Sequence, residues 1–251
     1  MIIIPMAGLS RRFTSAGYQL PKYMLPLHGR SVFAHAVGSF AAQFGNTHFL
    51  FIARDVAGTK MFLRQECAAL GIAHATVVIL DRETAGQAET VELGLNDTGA
   101  ADGEPATIFN IDTFRHQFRF PDAPWFAQTD GYLEVFRGSG ANWSYVVPAV
   151  GTREPLVTRA TEKIPISDLC CSGLYHFARS EDFRSALAKE RSQPSLTELY
   201  VAPLYNHLIA SGKHIHYHIV PLEAITFCGV PAEYEAALVK GHAVDSNSVP
   251  S

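Results

Sequence analysis

Apolar residues in this chain fall into short β-branched or aromatic runs, separated by segments that return to an apolar position every three or four residues. That is the pattern of alternating strand and helix. Ile2, Ile3 and Ile4 read as a buried strand that ends at Pro5 and enters a loop of small residues, Ala7, Gly8 and Ser10. Ser31 predicts the cap of a helix whose Val32, Phe33, Ala36, Val37 and Phe40 share one face. A strand over 48–53 follows. Asp55 is then expected to open a helix with Val56, Leu63, Cys67 and Leu70 on its inner side, ended by Gly71. A strand over 76–80 leads into the loop 82–86 and a helix from about Thr84, and a further strand spans 106–112. Near-continuous apolar strands between amphipathic helices predict an α/β fold, a mostly parallel sheet with helices on both faces, where ligands bind beyond the carboxyl ends of the strands.

From residue 114 to 140 the pattern changes to aromatics, Pro and Gly, with Phe118, Phe120, Trp125 and Phe126 close together. Such a stretch predicts an excursion that covers a site or packs on a neighbour. Alternating strands follow at 132–136 and 143–147. Ser195 and Glu198 have the spacing of a capping box, and Pro203 suits the first turn of a helix that carries Leu204, Leu208 and Ile209 and ends at Gly212. His214, His216 and His218 alternate on one strand face, which is read as an exposed polar face or, with less support, as zinc ligands. Polar residues after Gly241 predict a single domain over 1–241 and an unstructured tail over 242–251.

Composition narrows the function. The 251 residues, 47% of them hydrophobic, suffice for one core. A net charge of -4 argues against a general nucleic-acid binder. No apolar stretch is long enough to span a bilayer, and the start lacks a basic segment followed by an apolar core, so a cytoplasmic protein without membrane partners is expected. Cys67, Cys170, Cys171 and Cys228 include no Cys-x-x-Cys and are expected as free thiols.

Two places carry candidate chemistry. Small residues at 7–10 let backbone N–H groups approach an anion, and Arg11, Arg12 and Lys22 add positive charge; the alternative is a turn with two solvated arginines. The loop matches neither of the common glycine-rich phosphate motifs. Asp112, directly after a buried strand, is placed to hold Mg2+ and alternatively to start an Asx turn.

Gly8, Ser10 and Arg12, followed by Pro21-Lys22, Leu25-Pro26-Leu27 and Gly29, form a pattern that resembles the sugar-phosphate nucleotidylyltransferases, over most of the chain to about residue 240. The resemblance implies the Rossmann-like mixed sheet of the nucleotide-diphospho-sugar transferase fold. It also implies transfer of NMP from an NTP to a phosphorylated acceptor, with release of pyrophosphate, for nucleotide-sugar and cell-surface polysaccharide synthesis. Arg12 and Lys22 are then the catalytic cations, and Ala7, Gly8, Leu9 and Ser10 hold the nucleotide. Gly86 and Gln87 lie against the base, with a pyrimidine preferred; Gln87 is equally well explained as a helix start. Asp112 binds Mg2+, Glu162 and Lys163 reach the acceptor, and Gly173 lies beside it, although a Glu-Lys pair is also common on any surface. A homo-oligomer is compatible with this reading.

Two departures stand out. Ser10 replaces a glycine, and the second metal aspartate expected before a Gly-Thr-Pro turn is missing from 224–233, where Glu223 comes too early to substitute. The absence keeps two alternatives open: a glycosyltransferase using a ready-made nucleotide sugar, or a weakly active nucleotide-sugar-binding regulator.

Overall fold

Three consecutive isoleucines leave no polar face, so the first strand, β1 (Ile2–Pro5), can only lie where both sides of a sheet are covered. All three are fully buried. The computed structural model describes residues 1–99 and 101–245. After β1 come a short helix α1 (Arg11–Ser15), the hairpin β2 (Pro26–Leu27) and β3 (Arg30–Ser31), and helix α2 (Val32–Gly38). Next are β4 (His48–Arg54), α3 (Thr59–Leu70), β5 (His74–Leu80), α4 (Gln87–Thr98) and β6 (Ala106–Phe109). In this half β1 pairs in parallel with β4 and β6, and β4 with β5.

The second half is largely antiparallel. It comprises β7 (Thr113–Arg115), β8 (Gly131–Arg137), β9 (Ser144–Pro148), β10 (Val157–Glu162) and β11 (Leu169–Phe177). Helices α5 (Ser180–Ser192) and α6 (Tyr205–Ala210), strands β12 (Ile215–Ile219) and β13 (Ile225–Phe227), and helix α7 (Pro231–Asp245) complete it. The nine-stranded sheet runs β10-β9-β11-β6-β1-β4-β5, with β8 on β11 and β12 on β8. Alternate residues of the inner strands feed two cores. Ile3, Leu50 and Ile52 meet Val91, Leu95, Phe183 and Leu208 on one face, and Ile2, Ile4 and Phe51 meet Phe33, Val37, Leu63 and Tyr234 on the other. Helices thus cover both faces of a mixed sheet, as expected.

Local expectations fared unevenly. Ser31 does cap α2, its Oγ accepting from Ala34 N at 2.9 Å, and Gly71 closes α3 at φ 72°. The helix expected from Asp55 begins four residues later, because Ala57 and Gly58 take positive φ and cannot continue a helix. Val56 is left outside it and 41% exposed, while Asp55 Oδ1 still accepts from Lys60 N. The capping box at Ser195 and Glu198 does not form. The carboxylate of Glu190, at the end of α5, takes both the Ser195 N–H and its hydroxyl, and no helix starts there.

The aromatic excursion packs on the chain's own sheet. Phe118 meets Phe40 at 4.6 Å between ring centroids, and Trp125 stacks on His216 at 4.6 Å and 11°. His216 is therefore 1% exposed, its Nδ1 paired with Thr129 Oγ1 at 2.8 Å, and His218 is half-buried, while His214, just before β12, is exposed; only the end of the expected polar face is solvated. No group of three or more His, Cys, Asp or Glu suited to a metal exists among the described residues, which leaves the zinc reading without ligands. All four cysteines are buried free thiols, and no described helix is long and apolar enough to cross a membrane. Helix α7 continues to Asp245, into the expected tail; 246–251 lie outside the described residues.

Burial of His176, under Phe120 and Phe126 and paired with Thr107, lowers its pKa to about 4. An unfolded histidine holds its proton up to about pH 6.5. Between these values the unfolded chain binds more protons, so stability falls as the pH drops from about 6.5 to 4, by about 3 kcal/mol from this residue alone. Urea titrations across that range should show the fall, and His176→Gln should flatten its upper part.

Candidate active site

The loop after β1 opens a cavity of about 640 Å³ at the carboxyl end of the sheet. Met6 N still bonds Ile52 O at 2.8 Å, and buried Phe13 anchors α1 beneath the turn. Ser10 has φ 51°, so the position where a glycine is usual does need the left-handed region. Serine tolerates it at a cost of about 1 kcal/mol, and its Oγ accepts from Lys22 N at 3.4 Å. Ala7, Gly8, Leu9, Ser10, Arg11 and Arg12 all line the cavity.

Lys22 and Asp112, 90 positions apart, meet in it: Lys22 Nζ donates to Asp112 Oδ2 at 2.5 Å, with both side chains about one-fifth exposed. Asp112 follows β6 through a tight turn, and its carbonyl accepts from Cys228 N at 2.8 Å, which brings the segment before α7 to the same rim. A second carboxylate does stand at this rim. Glu233 Oε2 accepts from Gly229 N at 2.8 Å and Val230 N at 3.2 Å, closing the start of α7. A Cβ on Gly229 would stand 3.0 Å from Asp112 Oδ2 and 3.5 Å from Glu233 Oε2, so the two acids border one gap that glycine keeps open. Two hard oxygen donors beside the small-residue loop suit Mg2+, which takes few protein ligands and completes its shell with phosphate and water.

Gln87 lies in the first turn of α4. It begins the helix, lines the cavity, and donates through Nε2 to Asn110 Oδ1 at 2.6 Å. Asn110 N in turn bonds Gly173 O at 3.0 Å, and a Cβ on Gly173 (φ 97°) would lie 2.6 Å from Asn110 Nδ2. Gly173 is thus required where β11 slips its register against β8, between Cys171 and Tyr175. Gly86 is required for another reason than a nucleotide. Its Cβ would fall 2.4 Å from Leu199 O, and the Leu199 backbone bonds Ala85 O and Ala88 N at 2.9 Å each. This pairing places Glu198 and Tyr200 on the cavity wall, roles that the spacing of Ser195 and Glu198 had concealed.

At the far end Glu162 points into the cavity and accepts from Ser144 Oγ. Burial holds it above the ordinary carboxylate range, and Ser144 and Lys163 only partly offset this. Lys163, at φ 57°, is not among the lining residues. Its Nζ donates to Tyr200 OH at 2.6 Å, stands 4.5 Å over that ring and 3.6 Å from Glu162 Oε1. Burial lowers its pKa, but Tyr200 and the two nearby glutamates more than compensate and the net shift is upward. Trp143, Glu198, Tyr200 and Glu233 are lining residues to which sequence reasoning gave no role in binding, and only tertiary placement identifies them.

No protein-family profile matches the chain, and no curated protein matches it. Solved structures do. A nucleoside-diphosphate-sugar pyrophosphorylase from Vibrio cholerae RC9 is 49% identical over 95% of this chain and 100% of that one, with a TM-score of 0.90. More distant are the inositol-1-phosphate CTP transferase from T. maritima (14% identity, 100% and 97% coverage, TM-score 0.72) and a UTP-bound UGPase from Acinetobacter baumannii (14%, 98% and 94%, 0.70). These two share the fold.

Proposed function

The chain belongs to the nucleoside-diphosphate-sugar pyrophosphorylase family, and we propose that it transfers NMP from an NTP, preferably a pyrimidine NTP, to a small phosphorylated acceptor. One observation carries this reading: Arg12, Lys22 and Asp112 line the same cavity as the small-residue loop. In the reaction an acceptor phosphate oxygen attacks the α-phosphorus. The bond from that phosphorus to the bridging oxygen breaks, pyrophosphate leaves with the electron pair, and a new P–O–P link remains. The barrier lies in bringing two polyanions into line and stabilising charge on the phosphoryl oxygens. Loop amides and Arg12 hold the triphosphate, and Lys22 lies between donor and acceptor, where its ammonium offsets the charge of both. The acceptor phosphate is already ionised at neutral pH, so the chain needs no general base. Asp112, with Glu233 across the gap, would hold Mg2+, which supplies Lewis-acid neutralisation of the phosphates when bound.

Gln87 and the turn at Gly86 stand for base recognition, supported by their place on the cavity wall. We place the reaction in the cytoplasm, a reading supported by four free thiols. The test is release of pyrophosphate from each NTP with Mg2+ and a set of phosphorylated acceptors. Nucleotidyl transfer gives stoichiometric pyrophosphate and a nucleotide-linked product. Consumption of a ready-made nucleotide sugar without pyrophosphate would replace it with glycosyl transfer, and binding without turnover would leave a regulator.

A further inference from the structure

A second cavity, of about 260 Å³, shares the loop from Met6 to Ser10 and the Tyr23 side of the larger one. Its remaining lining comes from the segment 14–21, from Arg54 at the end of β4, and from Val56 and Ala57 just after it. The transfer reaction uses none of these. Leu9, Leu20 and Val56, all large apolar side chains left exposed, meet around this one space. Exposed apolar residues scattered singly are ordinary, whereas a group of them about a concavity marks a place for a ligand.

The charge here is single. Among the described residues that line it, Arg54 is the sole charged side chain, while the larger cavity sets Arg11, Arg12 and Lys22 toward a polyanion. Arg54 Nη1 is buried and makes no hydrogen bond, and Glu83 Oε1, at 3.6 Å, is too far to accept one. A buried guanidinium nitrogen without an acceptor is costly, and the planar fork is matched best by a carboxylate. One cation balances one carboxylate charge and would leave a phosphate dianion half neutralised.

We propose that this cavity binds a small organic acid, its carboxylate on Arg54 and a compact apolar body among Leu9, Leu20 and Val56. The bound acid weakens nucleotide binding. Glu83 stands between two arginines, with Oε1 toward Arg54 and Oε2 3.8 Å from Arg11 Nη2, and both Glu83 and Arg11 line the larger cavity. An acid on Arg54 takes one of these partners from Glu83 and leaves its charge to Arg11, which is then less available to a triphosphate. The same acid places a negative charge beside the shared loop. By linkage the nucleotide weakens the acid equally. This coupling rests on the nucleotidyltransferase reading; the site does not.

The experiment titrates the full chain, first without nucleotide, with benzoate and 4-methylpentanoate and with their uncharged counterparts benzyl alcohol and 4-methylpentan-1-ol, followed by ligand-observed NMR. The acids should bind with a Kd of about millimolar and the alcohols about tenfold more weakly or worse. Arg54→Gln should weaken the acids by about tenfold. Val56→Phe, which fills the apolar part and keeps the charge, should abolish their binding while pyrophosphate release persists. Saturating acid should then raise the Kd for an NTP with Mg2+ about threefold in calorimetry, less at high salt, since the pairs involved are partly exposed. Alcohols that bind as well as the acids, acids that bind both variants unchanged, or no acid bound at about 50 mM would each overturn the site. Acid binding with an unchanged NTP affinity overturns the coupling and leaves the site standing. An NTP that does not bind at all overturns the coupling together with the transfer reaction.

Discussion

Lys22→Ala is expected to lower kcat for pyrophosphate release by about 10²–10³-fold, the loss typical of removing one fixed group aimed at developing charge. Lys22 is the cation in contact with Asp112, at 2.5 Å, and it lines the same cavity as the small-residue loop. The fold should survive. The pair is partly exposed, so its contribution to stability is roughly 1 kcal/mol or less, a shift of about 2–4 °C at most for a chain of this size. Steady-state pyrophosphate release and a thermal melt on the same preparation separate the two effects. Turnover unchanged with an intact melt would remove the proposed chemistry.

Glu134→Ala should have the larger effect on stability, about 3–5 kcal/mol, because it strands a buried guanidinium. Arg115 Nε donates to both Glu134 oxygens at 3.0 Å, with side-chain exposures of 8% and 1%, and Ser172 Oγ adds a third bond at 2.9 Å. Burial raises the Glu134 pKa, with Arg115 and then Ser172 opposing it. The pair lies directly behind the site. Arg115 belongs to the strand after Asp112 and also donates to the carbonyls of His116 and Ala224, while Ser172 precedes Gly173. A rise in KM for the acceptor should therefore accompany the loss of stability. Urea denaturation measures the first effect. The double variant Glu134→Met with Arg115→Met should recover much of the loss, since no lone charge remains. Equal or greater destabilisation in the double variant would show that packing and not charge dominates.

The alternation of apolar runs determined the architecture, because strands buried on both faces must be apolar throughout and their helices amphipathic. Ile2, Ile3 and Ile4 at the centre of the sheet are the clearest instance. The small-residue turn after β1 was legible for a similar reason. Small residues before two arginines are a local arrangement that short-range geometry decides, and Ser10 at φ 51° takes the conformation that a glycine would have taken.

What tertiary structure alone decided depends on long-range contact. The Ser195 hydroxyl, a plausible cap in sequence, is captured by Glu190 from the preceding helix. Gly86 is glycine because the Leu199 backbone crosses it, 113 positions downstream. The histidines of β12 look solvent-facing until Trp125 covers His216, and Glu233, which closes the start of α7, is brought across Gly229 from Asp112. Hydrophobic periodicity is a property of neighbours along the chain and can be read there. The partner of a polar group is whichever group folding brings within hydrogen-bond distance, so its role is settled only when distant segments meet.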